Sequence, residues 1–168
     1  NMTTAILLGL MLAFEPKEPG VMNRPPRDPK APLLCPDITK RIGLVSVLLS
    51  AGGCGVFAWL RRWHGASLEE AQTAATTVFV IGELFYLFNC RSLTRSMFEI
   101  GLFTNRPALW GSAAMIALQV FFAQNPIMNR LFRTEPLSLT TWGVIMVVGI
   151  TIYVIIEIEK RLVGYRLQ

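Results

Sequence analysis

The stretch IGLVSVLLSAGGCGVFAWL, residues 42–60, contains no charged residue over nineteen consecutive positions. A helix needs about 20 mostly apolar residues to cross the hydrocarbon core of a bilayer. Two more uncharged runs lie at residues 107–129 and 136–156, and a fourth, at residues 71–90, is interrupted only by Glu83. The sequence therefore predicts four membrane-spanning segments.

The first fourteen residues form a fifth apolar segment that is too short to span a bilayer. We expect it to be the end of a transmembrane helix. A cleaved signal peptide is the alternative, but no basic stretch precedes the apolar residues and Glu15-Pro16 follows them. Because only helices satisfy backbone polar groups in lipid without a closed barrel, the predicted fold is an all-α membrane protein with the end of one helix and four transmembrane helices.

Composition supports a lipid environment. Hydrophobic residues make up 52% of the chain and charged residues only 16%, whereas soluble domains carry about 25% charged residues. The net charge is +5, and the basic residues lie between the apolar runs. Orientation of the chain in a membrane therefore explains the charge more simply than nucleic-acid binding does. The three cysteines are scattered and form no metal or disulfide pattern.

A proline-rich stretch separates the first apolar segment from the second. Residues 15–41 hold seven of the ten prolines, and each proline removes a backbone donor and favours extended geometry before it. The predicted domains are therefore residues 1–14, the helix end; residues 15–41, an extended loop; and residues 42–168, a four-helix bundle with a short tail. The loop could be a passive linker or a docking surface, and Asp37 could cap the helix after it.

The distribution of Lys and Arg predicts the orientation. Twelve of the sixteen lie in the proline-rich loop, in residues 91–106 and in the C-terminal tail. The other four lie in the two remaining connectors. The positive-inside rule then places the proline-rich loop, residues 91–106 and the C-terminus in the cytoplasm of a multi-pass membrane protein. Four tryptophans lie near predicted span ends, as expected of an aromatic belt: Trp59, Trp63, Trp110 and Trp142.

Glu83 is the most informative single residue. A carboxylate deep in an apolar span is costly, so it should face a partner, a cavity or an ion path. Its helix should begin at Ser67, which has capping-box spacing to Glu70. Residues sharing its predicted face form a polar stripe that directs it inward: Thr76, Tyr86 and Cys90. Glu83 could coordinate a cation or carry a proton, or it could be a neutral interhelical hydrogen-bonding group.

Other polar and small residues allow two readings each. Asn1 and Thr4 share a helix face and offer oxygen ligands suited to hard cations, although such residues also hold membrane helices together. Three glycines in the second segment favour close helix packing over an ion path: Gly52, Gly53 and Gly55. The sequence contains no phosphate-binding loop, dinucleotide fingerprint or His/Cys cluster, so no catalytic or cofactor-binding residue is predicted.

Several motifs together resemble the C-terminal membrane region of P-type cation pumps of the calcium-pump-like branch that is widespread in bacteria. The matching segments cover nearly the whole chain: NMTT (1–4), FEP (14–16), VMNRPPR (21–27), DPKAPLL (28–34), GASLEEAQ (65–72), FNCRSL (88–93), IGLFTNR (100–106) and PLSL (136–139). The VMNRPPR run is the most distinctive of them.

The resemblance implies that the first segment ends the pump's sixth helix and that the four spans are helices seven to ten. It implies metal ligands at Glu83, Asn1 and Thr4, whereas Ala5 stands where the family has an aspartate. That difference places a two-calcium site in doubt and leaves the transported ion open. It also implies that Arg24 and Arg27 contact the phosphorylation domain.

The predicted function is the C-terminal membrane module of an ATP-driven cation pump in a bacterial plasma membrane. ATP and magnesium would act in the parent protein, and the partners would be the lipid bilayer, the transported cation, and the remaining helices and cytoplasmic domains. The alternative is a stand-alone membrane scaffold or regulator without transport activity. A small channel or secondary transporter is a third reading, weakened because the spans show no internal repeat.

Overall fold

Helices account for all regular structure in the part of the chain that the computed structural model describes, namely residues 2–16, 36–91, 101 and 104–163. The predictions made for Asn1, Arg24, Arg27 and Cys35 lie outside the described residues.

Four of the helices are long and apolar enough to cross a membrane, which confirms the predicted all-α membrane fold with four spans. A shorter helix precedes them. In chain order the helices are α1 Met2–Leu12, α2 Pro36–Trp63, α3 Leu68–Cys90, α4 Arg106–Gln124, α5 Pro126–Phe132 and α6 Leu139–Val163.

Helix α2 begins earlier than its uncharged core suggested. It starts at Pro36 rather than at Ile42, so the proline-rich loop does not extend to Arg41 as predicted. Proline is tolerated in the first turn, where a backbone N–H has no intrahelical partner. Asp37 is therefore inside the helix, and its predicted N-cap position is wrong. The charged first turns can extend beyond the hydrocarbon because a helix need not end where its apolar stretch does.

The uncharged run at residues 107–129 is divided by Asn125. Helix α4 ends at Gln124, and the Asn125 amide donates to the Phe121 carbonyl at 3.0 Å. The Asn125 side chain then caps α5 by accepting from the Ile127 amide at 2.9 Å. Pro126, which has no N–H, cannot continue the α4 hydrogen-bond ladder. The short helix α5 was not predicted, because hydropathy alone does not detect this break.

The start of α3 confirms the predicted cap at Ser67. Its hydroxyl accepts a hydrogen bond from the Glu70 amide at 2.9 Å. The same hydroxyl donates to the Glu135 carboxylate, which lies just before α6. The cap therefore fixes the start of α3 and also connects it to a segment 68 residues away in sequence.

Helix α3 lies at the centre of the bundle. More than half of its most apolar stretch is buried (56%), against 17% for α2. One core cluster joins α3 to α2 and α6, with Val56, Val78, Ile81 and Ile145 among its buried members. A second cluster joins α3 to α1 and α4 through Leu8, Val80, Leu84, Leu87 and Met115. Because every other long helix packs against α3, the neighbours that Glu83 can contact depend on which face of α3 carries it.

Two of the three predicted packing glycines lie at helix contacts. A Cβ atom at Gly52 would stand 2.9 Å from Val148 Cγ1, and one at Gly53 would stand 2.8 Å from Phe79 Cε2. These positions confirm the close packing expected of small residues in membrane helices. Gly55 differs, since a Cβ there would meet nothing within 4 Å.

The four tryptophans lie near helix ends as predicted, but they divide into two groups. Trp63 and Trp110 are 81% and 77% exposed, as expected for side chains at a membrane interface. Trp59 and Trp142 pack against the core cluster shared by α2, α3 and α6. Two of the four therefore contribute to helix packing as well as lying near span ends.

Candidate cation site and the polar clusters around it

Glu83 lies on a strip of α3 between two packing faces. On one side Val80 and Leu87 belong to the cluster shared with α1 and α4. On the other side Phe79 contacts Gly53 of α2, and Tyr86 packs against the cluster that contains Val45 and Ile152. The helical period places Glu83 between these faces. Its carboxylate therefore borders the gap between α1 and α2.

The Glu83 carboxylate is partly buried. Its Oε2 atom is inaccessible to solvent and has no hydrogen-bond partner in the described part of the chain. A buried polar atom normally has a partner, so an exception calls for an explanation such as a missing ion or neighbour. The carboxylate therefore has the capacity to accept a further ligand.

The polar stripe predicted on α3 does not face the centre of this bundle. Thr76 is exposed and its hydroxyl donates to the Gln72 carbonyl at 2.9 Å. Glu83 and Cys90, farther along the same face, are half-buried. Within the described helices alone, the prediction that the stripe points inward is thus wrong. The stripe faces the flank of the bundle.

Thr4 is buried, with 1% of its surface exposed. It lines a cavity of about 450 Å³ together with Thr3, Thr76 and Gln119, among apolar side chains. Glu83 does not line this cavity. The structure thus brings Thr4 close to the α3 stripe at Thr76, two helical turns before Glu83, rather than into direct contact with Glu83.

The described residues do not form a complete cation site by themselves. They include no group of three or more His, Cys, Asp or Glu side chains that could hold a metal ion. A calcium ion takes six to eight oxygen ligands. Glu83 and Thr4 could supply part of such a set, but the other ligands would have to come from elsewhere.

A second buried carboxylate lies in α6. Glu157 is 8% exposed and pairs with Lys160 at 3.6 Å, within the helix. The Lys160 ammonium also donates to the Asn89 carbonyl of α3 at 3.1 Å. Glu157 also pairs with Arg161, at 3.7 Å. The helical spacing of these three residues could have indicated both pairs, but not the burial of Glu157 and Lys160.

Several contacts show which helix ends lie on the same side. Arg91 at the end of α3 pairs with Glu15 beyond the end of α1, at 3.0 Å. Arg41 in the first turns of α2 lies 4.0 Å from Glu159 near the end of α6. Ser67 and Glu135 meet at the opposite end. These pairings match an alternating path of the chain through a membrane.

The comparisons with known proteins agree on one family. A family described as "Cation transporting ATPase, C-terminus" matches residues 1–162. A Mycobacterium tuberculosis protein named "Probable cation-transporting ATPase F" is 48% identical over 168 residues, covering 100% of this chain and 18% of the relative.

Two further relatives are more distant. "Cation-transporting ATPase pma1" of Synechocystis is 34% identical over 96% of this chain and 18% of its own length. "Calcium-transporting ATPase 1" of Bacillus cereus is 29% identical over 95% of this chain and 20% of its own length. The chain thus spans about a fifth of the length of these relatives.

Proposed function

The chain belongs to the cation-transporting ATPase family, whose C-terminal region it matches, and we propose that it is the C-terminal membrane module of an ATP-driven cation pump. The observation that carries the proposal is the Glu83 carboxylate, with its buried and unpartnered Oε2 atom inside an apolar span. An ionisable group in that position is a candidate for an ion path.

We assign Glu83, Thr4 and Asn1 to the cation site of the parent pump. Carboxylate, hydroxyl and amide oxygens suit hard cations. The strip that holds Glu83 lies at the gap between α1 and α2, where the parent's other helices could add ligands. One relative is named as a calcium-transporting ATPase, so calcium is the first cation to test. ATP and magnesium would be bound by the parent's cytoplasmic domains.

The proposed orientation places residues 15–41, residues 91–106 and the C-terminus in the cytoplasm of a bacterial cell. The Lys and Arg distribution supports this orientation. The pairing of Glu15 with Arg91 is consistent with it, because both residues then lie on the cytoplasmic side.

The test uses the full-length protein and measures how calcium activates phosphoenzyme formation from ATP. We expect Glu83→Gln to keep the fold, since the amide preserves size and hydrogen bonding. It should lower the apparent affinity for calcium in this reaction by about tenfold or more, which corresponds to about 1.4 kcal/mol. It should also reduce the pH dependence of cation binding, because the amide does not titrate.

Thr76→Val is the matched control on the same face of α3. It should have a smaller effect because a hydroxyl contributes no charge. If Glu83→Gln left both cation affinity and its pH dependence at wild-type values, Glu83 would be a structural hydrogen-bonding residue. If the wild-type protein formed no cation-dependent phosphoenzyme, a scaffold or regulatory function would replace the pump assignment.

A further inference from the structure

Arg91 connects the ends of two helices through a buried ion pair. Its side chain is 0% exposed and that of Glu15 is 15% exposed. Arg91 Nε donates to both carboxylate oxygens of Glu15, at 3.1 and 3.0 Å, and Nη2 donates to Oε1 at 3.0 Å. This two-pronged arrangement fixes the orientation of the partners as well as their distance.

The same guanidinium also holds the segment that leads into α4. Its Nη1 donates to the Gly101 carbonyl at 3.3 Å, and Nη2 donates to the Thr104 hydroxyl at 2.6 Å. Three segments therefore meet at one side chain: the end of α1, the end of α3 and the segment that leads into α4.

Asn105 completes this cluster from the N-cap of α4. It is 1% exposed, and its Oδ1 caps the helix by accepting from the Ala108 amide at 2.9 Å. Its Nδ2 donates to Glu15 Oε2 at 2.6 Å and to the Met11 carbonyl at 3.3 Å. The Glu15 carboxylate thus accepts hydrogen bonds from both α3 and α4.

The opposite end of α1 has no such directional contact in the described part. Thr4 borders the cavity of about 450 Å³, and the packing of α1 beyond it is apolar, through Leu8 against α3 and α4. Apolar contacts are non-directional. They would allow α1 to rotate or slide against α3, whereas the buried ion pair does not.

We propose that Glu15, Arg91 and Asn105 form an anchor that fixes the register of α1 against α3 and α4, and that this anchor positions Thr4 relative to Glu83 for cation binding. The positioning role rests on the proposed pump function. Glu15 follows Thr4 by eleven residues and Arg91 follows Glu83 by eight. Thr4 and Glu83 therefore both lie upstream of the anchor, on helices whose ends the anchor joins.

This geometry makes the anchor residues positioning residues rather than ligands. One helical turn rises about 5.4 Å, so a slip of α1 by one turn would change the height of Thr4 relative to Glu83 by that amount. A buried polar group that specifies register is an attested use of such interactions.

The experiment compares Arg91→Met, Glu15→Gln and the double variant in the full-length protein. The first readout is hydrogen–deuterium exchange of the amides of Ala13, Phe14 and Glu15, which donate to carbonyls three residues earlier. We expect exchange to be about tenfold faster in both single variants. This readout does not depend on pump activity.

The second readout is calcium activation of phosphoenzyme formation. Each single variant should weaken apparent affinity by about fivefold or more, and the double variant should be no weaker than the worse single variant, because the residues act as a pair. Arg91→Lys, which keeps the charge but loses the fork, should restore part of the affinity.

Lys160→Met is the matched control, because Lys160 is also buried and also contacts the end of α3, at the Asn89 carbonyl, but from α6. It should leave exchange at the end of α1 unchanged and calcium affinity within about twofold. Wild-type exchange in folded Arg91→Met would overturn the anchor. Faster exchange with wild-type calcium affinity would overturn the positioning role. If the wild-type protein showed no calcium activation, the proposed function would be overturned instead, and the exchange result would still decide whether the anchor exists.

Discussion

Gln119 on α4 donates a hydrogen bond from its side-chain amide to the hydroxyl of Thr77 on α3, at 2.8 Å. Both side chains are buried, at 4% and 0% exposed. The Thr77 hydroxyl in turn donates to the Thr73 carbonyl at 2.7 Å. The threonine is therefore satisfied as donor and acceptor, and it joins α4 to the central helix within the apolar part of the bundle.

Thr77→Val should destabilise the protein by about 1 kcal/mol, because it leaves the Gln119 amide buried without this acceptor. The double variant Thr77→Val with Gln119→Leu should be closer to wild type than the single variant, since both polar groups are then removed. Thermal unfolding of the full-length protein in detergent measures the difference. Equal destabilisation of the single and double variants would show that the bond itself, not the unpaired amide, decides the effect.

Gly149→Ala should lower stability by about 1–3 kcal/mol through overpacking. A Cβ atom at Gly149 would stand 2.8 Å from Phe85 Cδ2 and 3.0 Å from Ile81 Cγ2, so two side chains of α3 would have to shift. The same thermal unfolding measurement checks this result.

Gly143→Ala on the same helix is the control for the change in helix propensity. A Cβ atom at Gly143 would meet nothing within 4 Å, so alanine there should be neutral or stabilising by up to about 1 kcal/mol. If both variants behaved alike, the contact between α6 and α3 at Gly149 would not be as close as described.

Cys35 should react with an impermeant thiol reagent only after cells are opened, because the charge distribution places the proline-rich loop in the cytoplasm. The measurement uses a variant with Cys54 and Cys90 replaced by serine, so that Cys35 is the single thiol of this region. Labelling of Cys35 in intact cells would overturn the orientation.

His64→Cys, made with Cys35 also replaced, is the control for the other side of the membrane. His64 is exposed in the connector between α2 and α3, and the orientation predicts that a cysteine there is labelled in intact cells. The two positions should therefore give opposite patterns.

The number and type of the spans could be predicted from sequence because the bilayer imposes a length and an apolar composition on each helix. The Ser67 cap could also be predicted, since its hydrogen bond joins residues three positions apart. The start of α2 at Pro36 and the break at Asn125 could not be read from hydropathy, because local backbone chemistry rather than burial decides where these helices begin and end.

For the candidate site, sequence identified Glu83 and Thr4 as exceptional polar residues, and the buried Thr4 and the unpartnered Glu83 oxygen are compatible with that reading. In the described helices the polar stripe lies at the flank of the bundle rather than pointing inward as predicted, because the face of α3 that meets the bundle depends on where its neighbours pack. Sequence periodicity places residues on one face but does not say what that face meets.

By itself, the sequence determined an all-α membrane chain with four spans, since each span is set by residues that are contiguous in the chain. Only the tertiary structure decided that Arg91, counted in the sequence as one loop charge among many, is buried against Glu15. These residues are 76 positions apart, and their pairing depends on how α1, α3 and α4 pack together. Burial then turns an ordinary loop charge into a buried ion pair, because a charge removed from water must find its partner within the protein.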